Sequence, residues 1–312
     1  MSIAQPNPFR AIGLKIASVL LFVLMATLIK AASEEVPPGQ TVFFRSLCAM
    51  PVILGWLMWQ GKFPTGLRTV NPVGHLWRGL IGSTAMGMSF AGLAILPLSE
   101  VKAIQYAMPL FVVVLAALML GERVRAVRLT AVGMGMVGVL IILWPRLSSF
   151  TEGDVDPQLA YGALIVLTGS LCAAFAQIFV RKLVETEETA AIVFWFSVTA
   201  TVLSLLTLPF GWQVPSATVL ACLVGSGLLG GLGQILLTSA YRFGDASIIA
   251  PFEYASMLFA IAIGYAVFGE VPTTVMLLGA TIVIASGVLI IARERYLKIK
   301  RGKGRQHVTK YG

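Results

Sequence analysis

The segment "SEVKAIQYAMPLFVVVLAALMLGE" (99–122) has a second version later in the chain, "SIIAPFEYASMLFAIAIGYAVFGE" (247–270). Aligned from end to end, the two segments place Tyr106 opposite Tyr254 and close on the same Gly-Glu pair. Both are apolar over most of their length, and each is long enough to cross a bilayer as a helix, for which about 20 residues suffice. The chain therefore contains a duplicated element of membrane-spanning length.

Shorter matches flank this element and extend the duplication to the whole chain. They are "LIGS" (80–83) with "LVGS" (223–226), and "GVLIIL" (138–143) with "GVLIIA" (287–292). We therefore predict two copies of one unit, the first at 1–148 and the second at 149–312, and the second copy ends in a basic tail at 293–312.

The composition of the chain is that of an integral membrane protein. Of its 312 residues, 57% are hydrophobic and only 12% are charged, whereas soluble domains have roughly 25% charged residues. The mean hydropathy is +0.88. Apolar and polar residues do not alternate at every second position, so the pattern predicts helices and not the strands of a membrane barrel.

Ten apolar stretches are long enough to cross the bilayer as helices. We predict spans near residues 11–32, 39–60, 75–96, 99–120, 126–145, 159–181, 189–210, 216–241, 245–268 and 272–292. The predicted fold class is an all-α integral membrane protein with ten transmembrane helices. Because each copy has an odd number of spans, the second copy would enter the membrane inverted, an arrangement typical of alternating-access carriers.

The distribution of basic residues predicts the orientation. With ten spans both ends of the chain lie on one side, and 19 of the 23 Lys and Arg residues fall on that side, among them Lys15, Arg78 and eight in the tail. We therefore predict cytoplasmic termini. The basic residues have no base-stacking aromatics between them, so nucleic acid is not an expected partner. We interpret the charge as a topology signal, and the alternative is that the tail contacts anionic membrane lipid.

A family resemblance rests on residues of the duplicated unit. These are Pro109 in the fourth span, the Gly121-Glu122 pair that closes it, the "GVLII" that ends the fifth span, and "FFRSL" (43–47) with Arg45. In these features the chain resembles the EamA family of the drug/metabolite transporter superfamily, over essentially its whole length. The resemblance implies a carrier in a bacterial inner membrane, often an exporter, and aromatic amino-acid exporters are among the best-known members.

The second copy departs from the family pattern at one position. Met257 stands where the first copy has Pro109, and the proline of the ninth span comes earlier, at Pro251. Because proline bends a membrane helix, we expect the ninth span to bend at a different level from the fourth.

Glu253 is the acidic residue that lies deepest within a predicted span. It is about eight residues into the ninth span, roughly 12 Å from its start at 1.5 Å per residue. An ionised carboxylate there costs at least ~2.5 kcal/mol, so it must be protonated, paired or in a wet cavity. Two interpretations stay open: a site for proton coupling or for a substrate ammonium, and a packing carboxyl that is neutral or pairs with Lys102 or Arg45.

Candidate substrate contacts are the polar and aromatic residues inside the spans. They are Arg45, Ser89, Phe90, Gln105, Tyr106, Gln177, Gln234, Tyr241, Glu253 and Tyr254. Arg45 could extend to the headgroups or hold a substrate carboxylate with two hydrogen bonds. For each amide or phenol alone, a helix–helix hydrogen bond is the competing interpretation. The pairs Gln105-Tyr106 and Glu253-Tyr254 lie on equivalent spans and are expected to act together.

Other patterns predict structure or exclude chemistry. Glu122 and Glu270 each precede a span and are expected to cap the helix that follows, and Gly227 and Gly231 have the spacing of closely packed membrane helices. The 3 cysteines and 2 histidines show no metal-ligand spacing, so we predict no metal and no cofactor.

The sequence leaves three functions to compare. The first is a secondary transporter that exports amino acids, aromatic ones included, or related small metabolites. The second is an importer of a small metabolite such as a nucleoside-containing cofactor or a vitamin. The third is a membrane-embedded enzyme, which is disfavoured because no cluster of His, Asp and Ser lies at one interface of the predicted spans. We therefore expect a carrier with a small-molecule substrate and no enzymatic activity.

Overall fold

The structure, a computed structural model, describes residues 8–120, 126–147, 157–183, 186–243 and 250–289, together with Ala292. Within these residues the chain is helical and has no strand. The α-helices are α1 (Pro8–Ala32), α2 (Pro38–Trp59), α3 (Pro72–Ile95), α4 (Leu98–Gln105), α5 (Ala107–Leu120), α6 (Ala126–Leu147), α7 (Pro157–Leu183), α8 (Thr189–Leu205), α9 (Ala217–Phe243), α10 (Ala255–Phe268) and α11 (Thr274–Leu289). Two 3-10 helices, Thr65–Leu67 and Ala250–Tyr254, complete the described secondary structure.

Each predicted span coincides with one helix or with a broken pair of helical segments, and the edges differ by a few residues. Four helical stretches are long and apolar enough to cross a membrane by themselves, namely Phe9–Ala32, Pro38–Trp59, Pro157–Val180 and Ala217–Leu237. Large apolar side chains such as Trp59, Leu118 and Leu258 are exposed. An exposed apolar surface is what helices surrounded by lipid require.

The fourth predicted span is broken at Tyr106 into α4 and α5. Pro109 explains the break, because proline has no N–H for the carbonyl four residues earlier and its ring collides with that carbonyl. That carbonyl belongs to Gln105, the last residue of α4. The ninth span changes from the 3-10 helix to α10 at Tyr254, the residue aligned with Tyr106. Both spans therefore change helix geometry at the aligned tyrosines, but the ninth span is already a 3-10 helix around Pro251, where the aligned part of the fourth span is α-helical.

Contacts between the two copies occur in matched pairs. Helix α1 packs on α9 as α7 packs on α3, and α2 packs on α9 as α8 packs on α3. In the same way α1 contacts α10 and α7 contacts α5. Helices of equivalent spans also contact each other directly, α2 with α8 and α4 with α10. Reciprocal contacts of this kind arise when two similar units are related by a two-fold axis.

Helix α9 lies directly on the backbone of α2. A Cβ atom on Gly227 would lie 2.4 Å from the Cβ of Cys48, and one on Gly231 would lie 2.9 Å from the Cβ of Val52. Contacts this close leave no room for a side chain at either glycine. The interpretation of this glycine spacing as close helix packing is confirmed, and the packing holds α9 against the part of α2 that carries Arg45.

Glu270 caps a helix, but not the one that follows it. Its carboxylate accepts a hydrogen bond from the N–H of Leu98, 2.8 Å away at the start of α4, and pairs with the ammonium of Lys30, 3.1 Å away. At the start of α11 the hydroxyl of Thr273 takes the capping role instead. The expectation for Glu270 is therefore wrong as to the helix, and Glu122 lies outside the described residues.

Glu187, in the loop before α8, holds the loop before α3 in place. One of its carboxylate oxygens accepts hydrogen bonds from the Thr69 hydroxyl and from the N–H groups of Val70 and Asn71, at 2.7–2.8 Å. Burial raises the pKa of Glu187, but these hydrogen bonds and the nearby His75 outweigh burial, so the pKa lies below its ordinary value. The loop is thereby anchored next to the first turns of α3.

Candidate functional site

The two broken spans meet at Tyr106 and Tyr254. Their rings make an edge-to-face contact, with centroids 5.2 Å apart, which is a favoured aromatic geometry. The Tyr106 hydroxyl lies 2.6 Å from the hydroxyl of Ser256 and 3.4 Å from the carbonyl oxygen of Tyr254. The structure therefore brings the two predicted tyrosines into direct contact. We call Tyr106, Tyr254 and Ser256 the tyrosine crossing.

Beside the tyrosine crossing, Glu253 forms an ion pair with Lys15 of α1. Only 4% of the Lys15 side chain is exposed, against 49% of the Glu253 side chain. The expected ion pair of Glu253 with Lys102 or Arg45 is therefore not the one that forms. The charge pattern of the sequence places Lys15 among the cytoplasmic charges near the edge of the first span, but α1 begins at Pro8, which places Lys15 roughly 10 Å inside the helix.

Lys102 lies near the same carboxylate but is hydrogen-bonded elsewhere. Its ammonium donates to the side-chain oxygen of Gln105, 3.2 Å away, and interacts electrostatically with Glu253. The crossing thus has one carboxylate, two ammonium groups and two phenols close together. A zwitterionic ligand could bind here by placing its ammonium at the half-exposed Glu253 and its carboxylate at a lysine.

A second polar region lies between α2, α3, α8 and α9. It is a pocket with about 40 Å³ of open space, and its polar and aromatic lining residues are Arg45, Arg78, Phe196, Ser197 and Gln234. We call it the arginine pocket. Arg45 is only 9% exposed, so its side chain turns into the protein and does not extend outward. The pocket therefore contains two guanidinium groups beside an aromatic ring and a side-chain amide.

Both guanidinium groups have buried donors without partners. Nε of Arg45 and both Nε and Nη1 of Arg78 make no hydrogen bond. Arg78 stacks over the ring of Phe196, with its central carbon 4.1 Å from the ring centroid, a contact that satisfies no N–H donor. Within the part of the chain that the structure describes, no carboxylate forms an ion pair with either arginine.

Sequence reasoning missed Arg78 as a site residue because it counted this residue among the cytoplasmic charges near the edge of the third span. The start of α3 is the sequence feature that could have placed Arg78 inside a helix. Pro72 is the first residue of α3, and the side chain of Asn71 accepts a hydrogen bond from the N–H of Gly74, 2.9 Å away. Asparagine as the cap and proline in the first turn mark a helix beginning. Arg78 is therefore about 9 Å inside the helix at 1.5 Å per residue.

The other predicted residues divide between these regions and the rest of the molecule. Gln105, Tyr106, Glu253 and Tyr254 lie at the crossing, and Arg45 and Gln234 line the pocket. Phe90 is buried in the hydrophobic core, and Gln177 is exposed on α7. Ser89 is partly buried where α3 faces Gly169 of α7. The side chain of Tyr241 lies outside the part that the structure describes.

The sequence profile of the EamA-like transporter family matches the chain twice, at residues 9–144 and 160–292. The chain belongs to the EamA-like transporter family. It is therefore a multi-pass membrane transporter of small molecules and not an enzyme. The two matches follow one another along the chain, one within each predicted copy.

Several curated relatives in this family have named cargoes. The chain is 28% identical over 268 residues to the "S-adenosylmethionine uptake transporter" of Rickettsia conorii, and the aligned region covers 86% of each chain. It is 28% identical over 281 residues to the "Pseudopaline exporter CntI" of Pseudomonas aeruginosa, with 89% of this chain and 94% of the relative covered. A "Riboflavin transporter" of Rhizobium johnstonii is 29% identical over 229 residues, or 73% of each chain.

These relatives include one uptake transporter and one exporter, and none of the three is named as an amino-acid exporter. A solved structure described as "Crystal structure of protein" superposes with a TM-score of 0.64 over 92% of this chain and 98% of that chain, at 19% sequence identity. A likeness at this identity shows the fold alone. The class of transporter is thus known, and the aromatic amino-acid subtype stays a prediction.

Proposed function

We propose that this EamA-like transporter is a secondary carrier that exports an amino acid or a related small metabolite across a bacterial inner membrane. The observation that carries the proposal is the tyrosine crossing. There the two copies of the family unit meet, and Glu253, Lys15 and Lys102 lie beside two tyrosine rings. A cargo with an ammonium, a carboxylate and an apolar part finds a matching group for each.

The carrier works by alternating access between two inverted halves. Two features support this proposal: the family profile matches each half separately, and the contacts between the halves occur in reciprocal pairs. With an odd number of spans in each half, the second half is inverted, and both termini lie in the cytoplasm. Inverted halves that meet at a central site can open that site to each side in turn.

Reporter fusions test the inverted arrangement directly. Fusions after Gly61, Ala126 and Gly312 are expected to report a cytoplasmic location, and a fusion within residues 150–156 an external one. An external location for Gly312 together with a cytoplasmic one for residues 150–156 would contradict the orientation. Equal locations for Ala126 and residues 150–156 would contradict the fifth span.

Glu253 is proposed as the group that couples cargo to the change of access. Its carboxylate is half-exposed, while its partner Lys15 is buried. The exposed half can therefore receive a proton or a cargo ammonium while Lys15 stays in place. Either event weakens the Lys15–Glu253 ion pair, which joins α1 to the ninth span, and so changes the contact between the two halves.

A second candidate is uptake of a small metabolite such as a nucleoside-containing cofactor or a vitamin. The observation that favours it is the name of the relative from Rickettsia conorii, an uptake transporter for S-adenosylmethionine. The crossing would serve such a cargo equally well, because S-adenosylmethionine carries an amino-acid group. The direction of net transport depends on the gradients of cargo and coupling ion, since alternating access is reversible.

Counterflow in proteoliposomes identifies the cargo. Vesicles are loaded with one unlabelled compound, and accumulation of the same labelled compound is measured for phenylalanine, tyrosine, leucine, S-adenosylmethionine and riboflavin. We expect accumulation for a compound with both a carboxylate and an ammonium, and none in empty vesicles. Accumulation of riboflavin alone would contradict the proposed cargo class. Net efflux from loaded cells against net uptake then separates export from import.

A further inference from the structure

We propose that Arg45 and Arg78 form a binding site for the carboxylate of the cargo, separate from the tyrosine crossing. The proposal rests on the proposed function and narrows it, since it requires an anionic group in the cargo. It starts from the charge of the arginine pocket. Two guanidinium groups line one pocket, and no carboxylate of the described chain pairs with either of them.

Two cations in a protein interior need an anion. Arginine does not lose its proton in proteins, so the arginine pocket cannot become neutral by deprotonation. Like charges repel more strongly as the dielectric falls. The remaining lining residues are Ala49, Ile53, Val193, Phe196, Ser197, Gly230, Gly231 and Gln234. None of these carries a negative charge, so the anion has to come from outside the described chain.

The unpartnered N–H donors of the two arginines favour a carboxylate as the bound anion. Nε of Arg45 and Nε and Nη1 of Arg78 are buried and unpartnered. A guanidinium presents its N–H groups as a planar fork that matches the two oxygens of a carboxylate. The open space inside the pocket is about 40 Å³, more than one water molecule needs but far less than the volume of a typical small-ligand site. The pocket therefore admits the carboxylate of a cargo, and the rest of the cargo has to lie outside it.

Neighbouring glycines make room for the two guanidinium groups. A Cβ atom on Gly82 would lie 2.1 Å from Nη1 of Arg78, and one on Gly230 would lie 3.2 Å from Nε of Arg45. Gly82 is one turn further along α3 than Arg78, so its small size lets the arginine lie along its own helix towards the pocket. The backbone thus accommodates two inward-directed arginines.

The pocket continues towards one end of the helices. A smaller cavity shares Ile53, Val193 and Gln234 with it and extends to Trp56 and Thr189. Trp56 is near the end of α2, and Thr189 is the first residue of α8. In the proposed orientation this end faces the cytoplasm, so the arginines would meet cargo that arrives from the cytoplasm.

The test measures binding by thermal stability, using purified full-length protein in nanodiscs. The probes are acetate against chloride at equal ionic strength, and L-phenylalanine against L-phenylalaninamide, which lacks the carboxylate. We expect acetate and L-phenylalanine to raise the melting temperature, and chloride and the amide to leave it unchanged. Arg45→Gln and Arg78→Gln should each weaken this stabilisation at least about 10-fold in probe concentration, since each removes charge-assisted hydrogen bonds.

Two further variants keep the test decisive. Arg10→Gln is the matched control, because Arg10 also stacks on an aromatic ring, that of Phe243, with 4.2 Å to the centroid, but outside the pocket. It should respond to the probes like the unmodified protein. Arg78→Lys keeps the charge without the fork and should bind acetate with intermediate affinity. If a glutamine variant does not fold, Arg78→Lys still tests whether the guanidinium group binds the carboxylate.

Three outcomes would overturn the proposal. One is equal stabilisation of Arg45→Gln, Arg78→Gln and the unmodified protein by acetate. Another is equal binding of phenylalanine and its amide. The third is stabilisation that follows the content of anionic phospholipid and not the carboxylate probe, which would make the pair a headgroup site. If the probes bind through the arginines but no amino-acid-type compound is exchanged, the proposed function fails while the anion site stands.

Discussion

The tyrosine crossing and the arginine pocket both contain buried cations, but the cations have different partners in the two regions. At the crossing, Lys15 pairs with Glu253 and Lys102 donates to Gln105. In the pocket, Arg45 and Arg78 have unpartnered donors and no carboxylate in the described chain. The Lys15–Glu253 ion pair can separate and form again as helices move, whereas two arginines without a carboxylate partner favour an anionic ligand. The comparison assigns the change of access to the crossing and the first capture of the cargo carboxylate, as it arrives from the cytoplasm, to the pocket.

The largest effect is expected from the arginine pocket. Replacing both Arg45 and Arg78 by Gln should lower the rate of counterflow on the order of 100-fold, because the cargo carboxylate loses two charge-assisted partners. Amounts of protein in the membrane should not fall, since the change removes repulsion. Counterflow of the best cargo, normalised to protein content, measures this. An undiminished rate in the double variant would show that the arginine pocket does not bind the cargo. Arg10→Gln is the control.

The second-largest effect is expected when the Lys15–Glu253 ion pair at the crossing is broken. Glu253→Gln leaves the buried Lys15 without a counterion, and breaking a buried pair from one side costs about 3–5 kcal/mol. The half-exposed position of Glu253 favours the lower end of that range. We expect a lower melting temperature, and transport that no longer varies between mildly acidic and mildly alkaline pH.

The double variant Lys15→Gln with Glu253→Gln separates structure from function at this pair. Stability should return, because no buried charge is left alone, whereas the pH dependence of transport should stay lost. If the double variant recovers both stability and pH dependence, Glu253 has a packing role only. If the single variant is already as stable as the unmodified protein, the ion pair contributes nothing to the fold.

A smaller effect is expected at the tyrosines. Tyr106→Phe removes the hydrogen bond to Ser256, and a neutral hydrogen bond contributes ~1 kcal/mol. The counterflow rate should therefore fall several-fold, with the ring contact to Tyr254 preserved. Ser256→Ala should have a similar effect, and the two changes together should cost no more than either one. Additive losses would show that the hydroxyls act independently.

The smallest effect on transport is expected outside the membrane, at Glu187, where the change should affect stability alone. Its pKa is lowered by the hydrogen bonds from residues 69–71, so its stabilising contribution is present above the ordinary carboxyl pKa and is lost as pH falls through the folded pKa. Glu187→Gln should lower stability by about 1–2 kcal/mol at neutral pH, and by less in acid. Melting curves against pH measure this, and a difference that grows in acid would reverse the sign.

The sequence predicted the large features because they follow from hydropathy and from self-similarity. Ten apolar stretches located the helices, and the alignment of Tyr106 with Tyr254 predicted a pair of residues that meet in space. Span edges were predicted less accurately, since Lys15 and Arg78 were counted as cytoplasmic charges near the edges of their spans although each lies about two turns inside a helix. Local caps such as Asn71 fix such edges, and hydropathy averaged over a window does not.

The partners of these residues could not be predicted from the sequence. Glu253 pairs with Lys15 across 238 positions, and Glu270 caps α4 instead of α11. Both contacts depend on how helices of the two halves lie against each other. Periodicity reports which face of a helix is apolar, but not which residue of another helix it faces.

The most direct test of the account compares binding with exchange in the same three preparations. Arg78→Gln, the double variant Lys15→Gln with Glu253→Gln, and the unmodified protein are each assayed for stabilisation by L-phenylalanine and for its counterflow. The account predicts that the crossing variant still binds the compound through the arginines but exchanges it without pH dependence, and that Arg78→Gln binds it at least about 10-fold more weakly and exchanges it more slowly. Normal binding by Arg78→Gln together with lost binding by the crossing variant would contradict the division of roles between the two regions.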